Sequence, residues 1–269
     1  MPDPSRSKDS IRDREPEGLG LLRMSWSQVL FLHWPVDPAV LNPFLPGGLS
    51  LDLREGHAWI TVMPVRMTGV RPVLTPPIPG MSSSLAINLR TCVSHQGEPG
   101  FYFFSLDASN ALAVWLGRTF FHLPYFRARM QATRRADAFR FTSTRTHQGA
   151  RVAKFECVWT AHAPLPRSRR GDLAHFLTER QLLFHAHREK IYRSTIWHGQ
   201  WPLREAKVRT LRSSVIEAAG IPAPSGAPIA HHCDELAVSV STVQDLATIP
   251  VSEAMLEPAL AQPPATFTR

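Results

Sequence analysis

The sequence predicts an α+β domain: one large antiparallel sheet that curls into a barrel or cone, with a few short helices. Two observations point there. Segments of strand character outnumber helical ones roughly two to one along the 269 residues. Residues 57–67 are apolar at nearly every position, so cover is expected on both faces of that strand.

The elements follow in order. Residues 1–22 mix Arg, Asp, Glu, Ser and Pro densely and cannot bury a core, so a disordered leader is expected. A single domain is expected over 23–247 and a flexible tail over 248–269. Residues 26–33 suit a buried strand. Asp37 and Pro38 are an N-cap and a first helical residue, and predict a short helix to Phe44. After the strand at 57–67, the proline-rich run 69–80 reads as an extended loop. Strands at 84–94 and 101–106 are joined through a turn between Gly97 and Gly100.

Ser109 or Asn110 caps a helix to about Phe121. Leu112, Trp115, Leu116, Thr119 and Phe120 fall on one helical face, which predicts the buried side. Leu123-Pro124 ends it. Strands are expected at 125–133, 138–146 and 151–160, then a loop at 163–171 and a short helix from Asp172 to Leu177. Strands near 181–187 and 190–197, a loop at Gly199, a helix near 210–219 and a strand near 229–242 complete the reading.

Composition narrows the function. The net charge is +8, yet only Lys8, Lys154, Lys190 and Lys207 among the 30 basic residues are lysines. The arginines are scattered and no nucleic-acid-binding signature occurs, so no nucleic-acid partner is expected. No apolar run reaches a membrane span and no signal-like N-terminal core occurs, so a cytoplasmic protein without a membrane partner is expected. Cys92, Cys157 and Cys233 are odd in number and far apart, which suits a reducing cytosol better than a disulfide framework. Glycine-rich phosphate loops and zinc spacings are lacking, so neither a cofactor nor a metal is expected. His231 and His232 are adjacent on a strand and point to opposite faces. A homo-oligomer is compatible with everything above.

Two resemblances add to this. Gly117-Arg118 followed by Leu123-Pro124-Tyr125-Phe126 resembles the acetoacetate decarboxylase-like segment in which a lysine follows the proline and forms a Schiff base. Tyr125 and Phe126 stand where those enzymes carry lysines, and neither ring forms an imine. The resemblance therefore implies the scaffold without the lysine-imine decarboxylase reaction. The ordered blocks His33-Trp34, Phe44 to Leu49, His57-Ala58-Trp59, Asn88 to Thr91, Gly100 to Ala108, Leu123 to Tyr125, Phe176 to Arg180, and His198 with Trp201-Pro202-Leu203 resemble the YqjF-like family, domain of unknown function 2071, over about 24–243. That family is placed in the acetoacetate decarboxylase-like superfamily, which implies a curled sheet.

Alternation on the strand at 84–94 puts Leu85, Ile87, Leu89, Thr91 and Val93 on one face. Ala86, Asn88, Arg90 and Cys92 take the other. If that second face lines a cavity, Arg90 suits a carboxylate. It can instead pair with Asp107 or Glu179, or face solvent. Where YqjF-like proteins often carry an acid two positions before the Asn, Ala86 stands here. Tyr125 can donate a hydrogen bond to a carbonyl, or simply pack its ring. Arg118, on the helix leading to it, joins the candidates, as do His33 and His198 beside Trp34 and Trp201. The expected ligand is a small organic acid or carbonyl compound inside the curled sheet. The alternative is a non-catalytic binding or sensing module, or a structural subunit of an oligomer.

Overall fold

In a computed structural model, residues 21–77, 80, 82–187, 190–241 and 243–248 are described, 247 and 248 by backbone alone. Apart from Leu21, Leu22 and Thr248, the expected leader and tail lie outside these residues. The strands are β1 (Leu22–Val36), β2 (Ser50–Leu51), β3 (Ala58–Pro72), β4 (Ser83–His95), β5 (Glu98–Ala108), β6 (Tyr125–Arg135), β7 (Ala138–Arg145), β8 (Lys154–Pro164), β9 (Leu182–His187), β10 (Lys190–His198), β11 (Arg204–Ser213), β12 (Ile229–Val240) and β13 (Gln244–Thr248). The α-helices are α1 (Pro38–Leu41), α2 (Ala111–Thr119), α3 (Leu173–Thr178) and α4 (Val215–Ala218).

All thirteen strands form one sheet in the order β13-β10-β9-β5-β6-β7-β8-β11-β12-β1-β3-β4-β2. Two further pairings, β4–β5 and β10–β12, close it twice. One ring runs β5-β6-β7-β8-β11-β12-β1-β3-β4, the other β5-β4-β3-β1-β12-β10-β9. Strands β12, β1, β3, β4 and β5 are the wall between them. That wall explains the apolar run in β3: Ala58 to Val65 are all buried, since each face looks into a core. Trp59, Met63 and Val65 enter one core with Phe31, Phe101 and Trp201. Ala58, Ile60 and Val62 enter the other with Leu30, Phe141 and Trp159.

Most pairs are antiparallel, but β5 pairs in parallel with both β6 and β9. A parallel neighbour needs a crossover, and α2 supplies one between β5 and β6. The β4–β5 turn is tight, with Gln96 and Gly97 both at positive φ, 50° and 85°. As expected, Asp37 caps α1, its Oδ1 accepting from Ala39 N–H at 2.8 Å. Asn110 caps α2, accepting from Leu112 and Ala113 N–H.

Several expectations are corrected. Strand β3 runs on to Pro72, into the expected loop, because Arg71 and Pro72 pair with Arg23 and Leu22. The helix expected near 210–219 is only α4. Residues 204–213 are strand β11, held against β8, and their alternation is masked by polar residues on both faces. Strands β2 and β13 were not foreseen. Helix α2 turns Val114 and Gly117 inward and leaves Leu112, Trp115 and Phe120 exposed at 45%, 45% and 59%. The apolar stripe is real, but the sheet takes the helix's small-residue side. Asp172 does not cap α3 with its side chain. Its carboxylate accepts from Arg169 N–H at 2.7 Å and closes the preceding loop.

Candidate functional site

On its face toward the ring that contains β9 and β10, the dividing wall carries a set of buried polar side chains. Strand register sets the arrangement. His33 is the cross-strand partner of Thr61, and Thr61 of Arg90. The three form a transverse row over β1, β3 and β4, all on the side of Phe31 and Trp59. All three are buried, at 0%, 1% and 4% exposure. Asn88, one pleat away, is also buried and pairs with Leu106, which pairs with Tyr125.

Arg90 lies in an aromatic seat. Its guanidinium carbon is 3.6 Å from the centre of the Phe101 ring and 5.7 Å from that of Phe31. Among the described residues, neither Nε nor Nη2 has a hydrogen-bond partner. Burial is the main cause that lowers its pKa to about 9; Cys92 opposes this and the Arg180 charge adds to it. An arginine does not deprotonate in practice, so the shift measures the cost of an uncompensated cation.

Both acids expected as internal partners are engaged elsewhere. Asp107 faces the other ring and pairs with Arg145 at 2.8 Å. Glu179 accepts from Trp201 N–H at 3.0 Å, and burial raises its pKa to about 7. Arg180 is neutralised by Asp52 at 2.7 Å.

His33 Nδ1 is 2.9 Å from Thr61 Oγ1, while Nε2 is buried without a partner. Its ring stacks on Phe31 at 5.7 Å and lies 5.5 Å from that of His231. Burial first, then His231 and Arg90, hold its pKa well below the usual imidazole value. His198 packs on Trp201 at 5.1 Å, with Nδ1 2.8 Å from Gly199 O and a further backbone hydrogen bond to Arg180.

Five sequence candidates lie on this side of the wall: Arg90, Asn88, His33, His198 and Tyr125, packed among Trp26, Phe31, Trp59, Phe101 and Trp201. Burial raises the Tyr125 phenol to about 12. Arg118 does not join them. Its Nη1 donates to the Tyr125 backbone O at 2.8 Å, and its guanidinium lies toward Phe126 and His147. Sequence reasoning missed Thr61 and His231. A lone hydroxyl in the apolar β3 run, in period with Trp59 and Met63, was the available signal for Thr61. The described lysines, Lys154, Lys190 and Lys207, are all exposed. As expected, His231 and His232 diverge. His232 turns to the other ring, where Trp159 Nε1 donates to its Nδ1 at 3.2 Å.

An open groove of about 410 Å³ lies on the outer face of β6 to β8, lined by Gln131, Thr133, Arg135, Arg140 and Thr142. Its lining alternates with inward residues such as Met130 and Ala132, which pack in the core on the other side of the wall from Arg90.

The family described as "uncharacterized conserved protein", domain of unknown function 2071, matches residues 23–237. The uncharacterized protein YqjF of Bacillus subtilis (strain 168) is 39% identical over 217 residues, covering 81% of this chain and 89% of its own. The chain belongs to the YqjF-like family. The YqjF-like fold is that of acetoacetate decarboxylase-like proteins. The enduracididine biosynthesis enzyme MppR complexed with pyruvate superposes with a TM-score of 0.59 at 14% identity, over 84% of this chain and 90% of its own. An acetoacetate decarboxylase-like enzyme from Sphingomonas wittichii RW1 gives 0.56 at 14%, over 85% and 94%. Acetoacetate decarboxylase from Legionella pneumophila gives 0.55 at 12%, over 87% and 92%. At such identities the likeness is one of fold. No helix among the described residues is long and apolar enough to cross a membrane.

Proposed function

We propose that the Arg90 side of the core forms a chamber that binds a small organic acid or carbonyl compound, with the guanidinium on its carboxylate. One observation carries this: a buried cation with two unpartnered nitrogen positions and no paired acid among the described residues. A carboxylate would supply both the missing charge and the missing acceptors. Asn88, His33 and His198 would line the same space. The reading invokes no metal, cofactor, nucleic acid or membrane, and no imine, since Tyr125-Phe126 replace the lysines. Pyruvate, the ligand of the MppR complex, is a suitable first probe.

The test is a thermal melt. A ligand at one hundred times its dissociation constant stabilises by roughly 2.7 kcal/mol, or about 5–10 °C for a chain of this size. Pyruvate should raise the melting temperature of the wild type and not of Arg90→Met; equal shifts in both would refute the assignment. Incubation with acetoacetate and borohydride should leave the intact mass unchanged, and an adduct on any lysine would contradict an imine-free site.

A second reading, a non-catalytic module or structural subunit of a homo-oligomer, has one observation in its favour. The α2 stripe of Leu112, Trp115 and Phe120 is exposed, with Trp115 and Phe120 in edge contact at 5.7 Å. Exposed aromatic clusters of this kind are common in subunit contacts. Sedimentation of wild type against Trp115→Glu distinguishes it.

A further inference from the structure

We propose that His33 is a general base and that the chamber catalyses enolisation of a 2-oxo acid, exchanging the protons on the carbon beside its ketone. The proposal rests on the binding reading above and adds a reaction to it.

The geometry is the row His33–Thr61–Arg90. Two strand spacings, about 10 Å, separate the outer backbones. The short Thr61 side chain stands between a long cation and an imidazole that both rise from the same face, and the Phe31 ring is in contact with both. An acid whose carboxylate lies on Arg90 extends over Thr61 toward His33.

The imidazole is prepared for this role. Thr61 Oγ1 holds Nδ1 at 2.9 Å, and Phe31 stacks on the ring. In the tautomer that the base requires, Nδ1–H donates to Thr61 and Nε2 carries the lone pair; that atom is buried without a partner among the described residues. The low pKa, caused first by burial, keeps the ring neutral.

The other groups in the chamber fit the role less well. His198 is tied to backbone at Gly199 and Arg180. Glu179 is held by Trp201 N–H and Ser168 Oγ. Tyr125, pushed to about 12, is not a base near neutrality. His231 Nδ1, also unpartnered, lies behind His33 and can share the proton.

The step balances without a co-reactant. His33 Nε2 takes a proton from the carbon next to the ketone. The C–H electron pair becomes the carbon–carbon double bond, and the carbonyl pair moves onto oxygen. The Arg90 cation offsets the enolate charge in a dry site. The imidazolium exchanges its proton with solvent while the enolate is held, then delivers a solvent-derived proton to carbon as the enolate oxygen's electron pair re-forms the carbonyl, leaving ketone and neutral imidazole.

The experiment follows the methyl signal of pyruvate by proton NMR in deuterated phosphate buffer with the full chain. Wild type should accelerate loss of the signal by about 10²-fold or more over buffer, the usual reach of a positioned base. His33→Gln should return the rate to that of buffer while pyruvate still raises the melting temperature. Should His33→Gln fail to fold, Thr61→Val keeps the imidazole but frees Nδ1, and should slow exchange about tenfold with the melting shift retained. A wild type that is stabilised by pyruvate but exchanges no faster than buffer overturns the base and leaves the binding reading standing. Unchanged exchange in His33→Gln overturns it equally. Absence of any melting shift in the wild type would instead remove the binding reading beneath it.

Discussion

Arg90 and Arg145 occupy the two cores on either side of one sheet and are alike in most respects. Each is buried, and each guanidinium lies over a phenyl ring, 3.6 Å from the centre of Phe101 and 4.1 Å from that of Phe126. They differ in charge balance. Arg145 donates from Nε to Asp107 at 2.8 Å, with Nη2 equally close to the same oxygen. Arg90 meets rings and a second arginine. A stacked, paired guanidinium has its charge answered inside the fold, even though Arg145 Nη2 and Asp107 Oδ2 make no hydrogen bond among the described residues. A stacked, unpaired one leaves its charge for something outside the fold to answer.

The largest effect should come from the paired side. Arg145→Met strands Asp107 at 1% exposure in an apolar core. Breaking a buried pair costs about 3–5 kcal/mol, roughly 10 °C of melting temperature for a chain of this size. Burial already raises the Asp107 pKa, opposed by Arg145, so removing the arginine should push it higher still. A loss under about 1 kcal/mol would mean that Asp107 finds water once unpaired, and the contrast with Arg90 would weaken.

Glu179 probes the chamber side through pH. Its pKa of about 7 in the fold exceeds the unfolded value of about 4.3. The folded protein therefore holds a proton that the unfolded chain has released. The associated stability is complete below about pH 4 and is lost as pH rises through about 7. Glu179→Gln fixes the neutral form and can still accept from Trp201 N–H. The variant should match wild type near pH 4 and exceed it by about 1–3 kcal/mol at pH 8. Urea melts at both pH values test this, and a difference that does not change with pH would show that Glu179 stays ionised.

Gly117→Ala measures how firmly Tyr125 is seated. A β-carbon there would overlap the Tyr125 ring. Overpacking costs about 1–3 kcal/mol, while alanine in a helix gains up to about 1. The net loss should be about 1–2 kcal/mol. A stabilised variant would mean that the phenol swings away freely, and Tyr125 would cease to be a fixed edge of the chamber.

The wall was readable from the sequence in two ways: β3 as a continuous apolar run buried on both faces, and β4 because one of its faces carries polar residues. Ala86, Asn88, Arg90 and Cys92 were separated from Ile87 and Leu89 by alternation alone. The His33–Thr61–Arg90 row was not readable, because it depends on register between strands far apart in sequence, with a shift in β1–β3 pairing between Ser27 and Leu32. For α2, amphipathicity located the apolar stripe but not which side meets the sheet. Close approach at Gly117 selected the opposite face. Strand β11 was hidden because Glu205, Lys207 and Arg209 face out while Ala206 and Val208 form only a weak inner face.

The smallest expected effect is the most telling. Arg90→Met, without ligand, removes a buried cation that has no paired acid among the described residues. Nothing is stranded, since Asp107 belongs to Arg145 and Glu179 to Trp201. Methionine keeps an apolar stem of similar reach against Phe101 and Phe31. Burying an uncompensated charge is itself unfavourable, so the variant should lie within about 1 kcal/mol of wild type or be more stable, as when buried ions are replaced by packed apolar residues. Denaturant melts of Arg90→Met and Arg145→Met in parallel set the comparison directly. If both lost about 3–5 kcal/mol, Arg90 would have a carboxylate partner within the chain, the two arginines would be equivalent, and the chamber would have no charge left to offer a ligand.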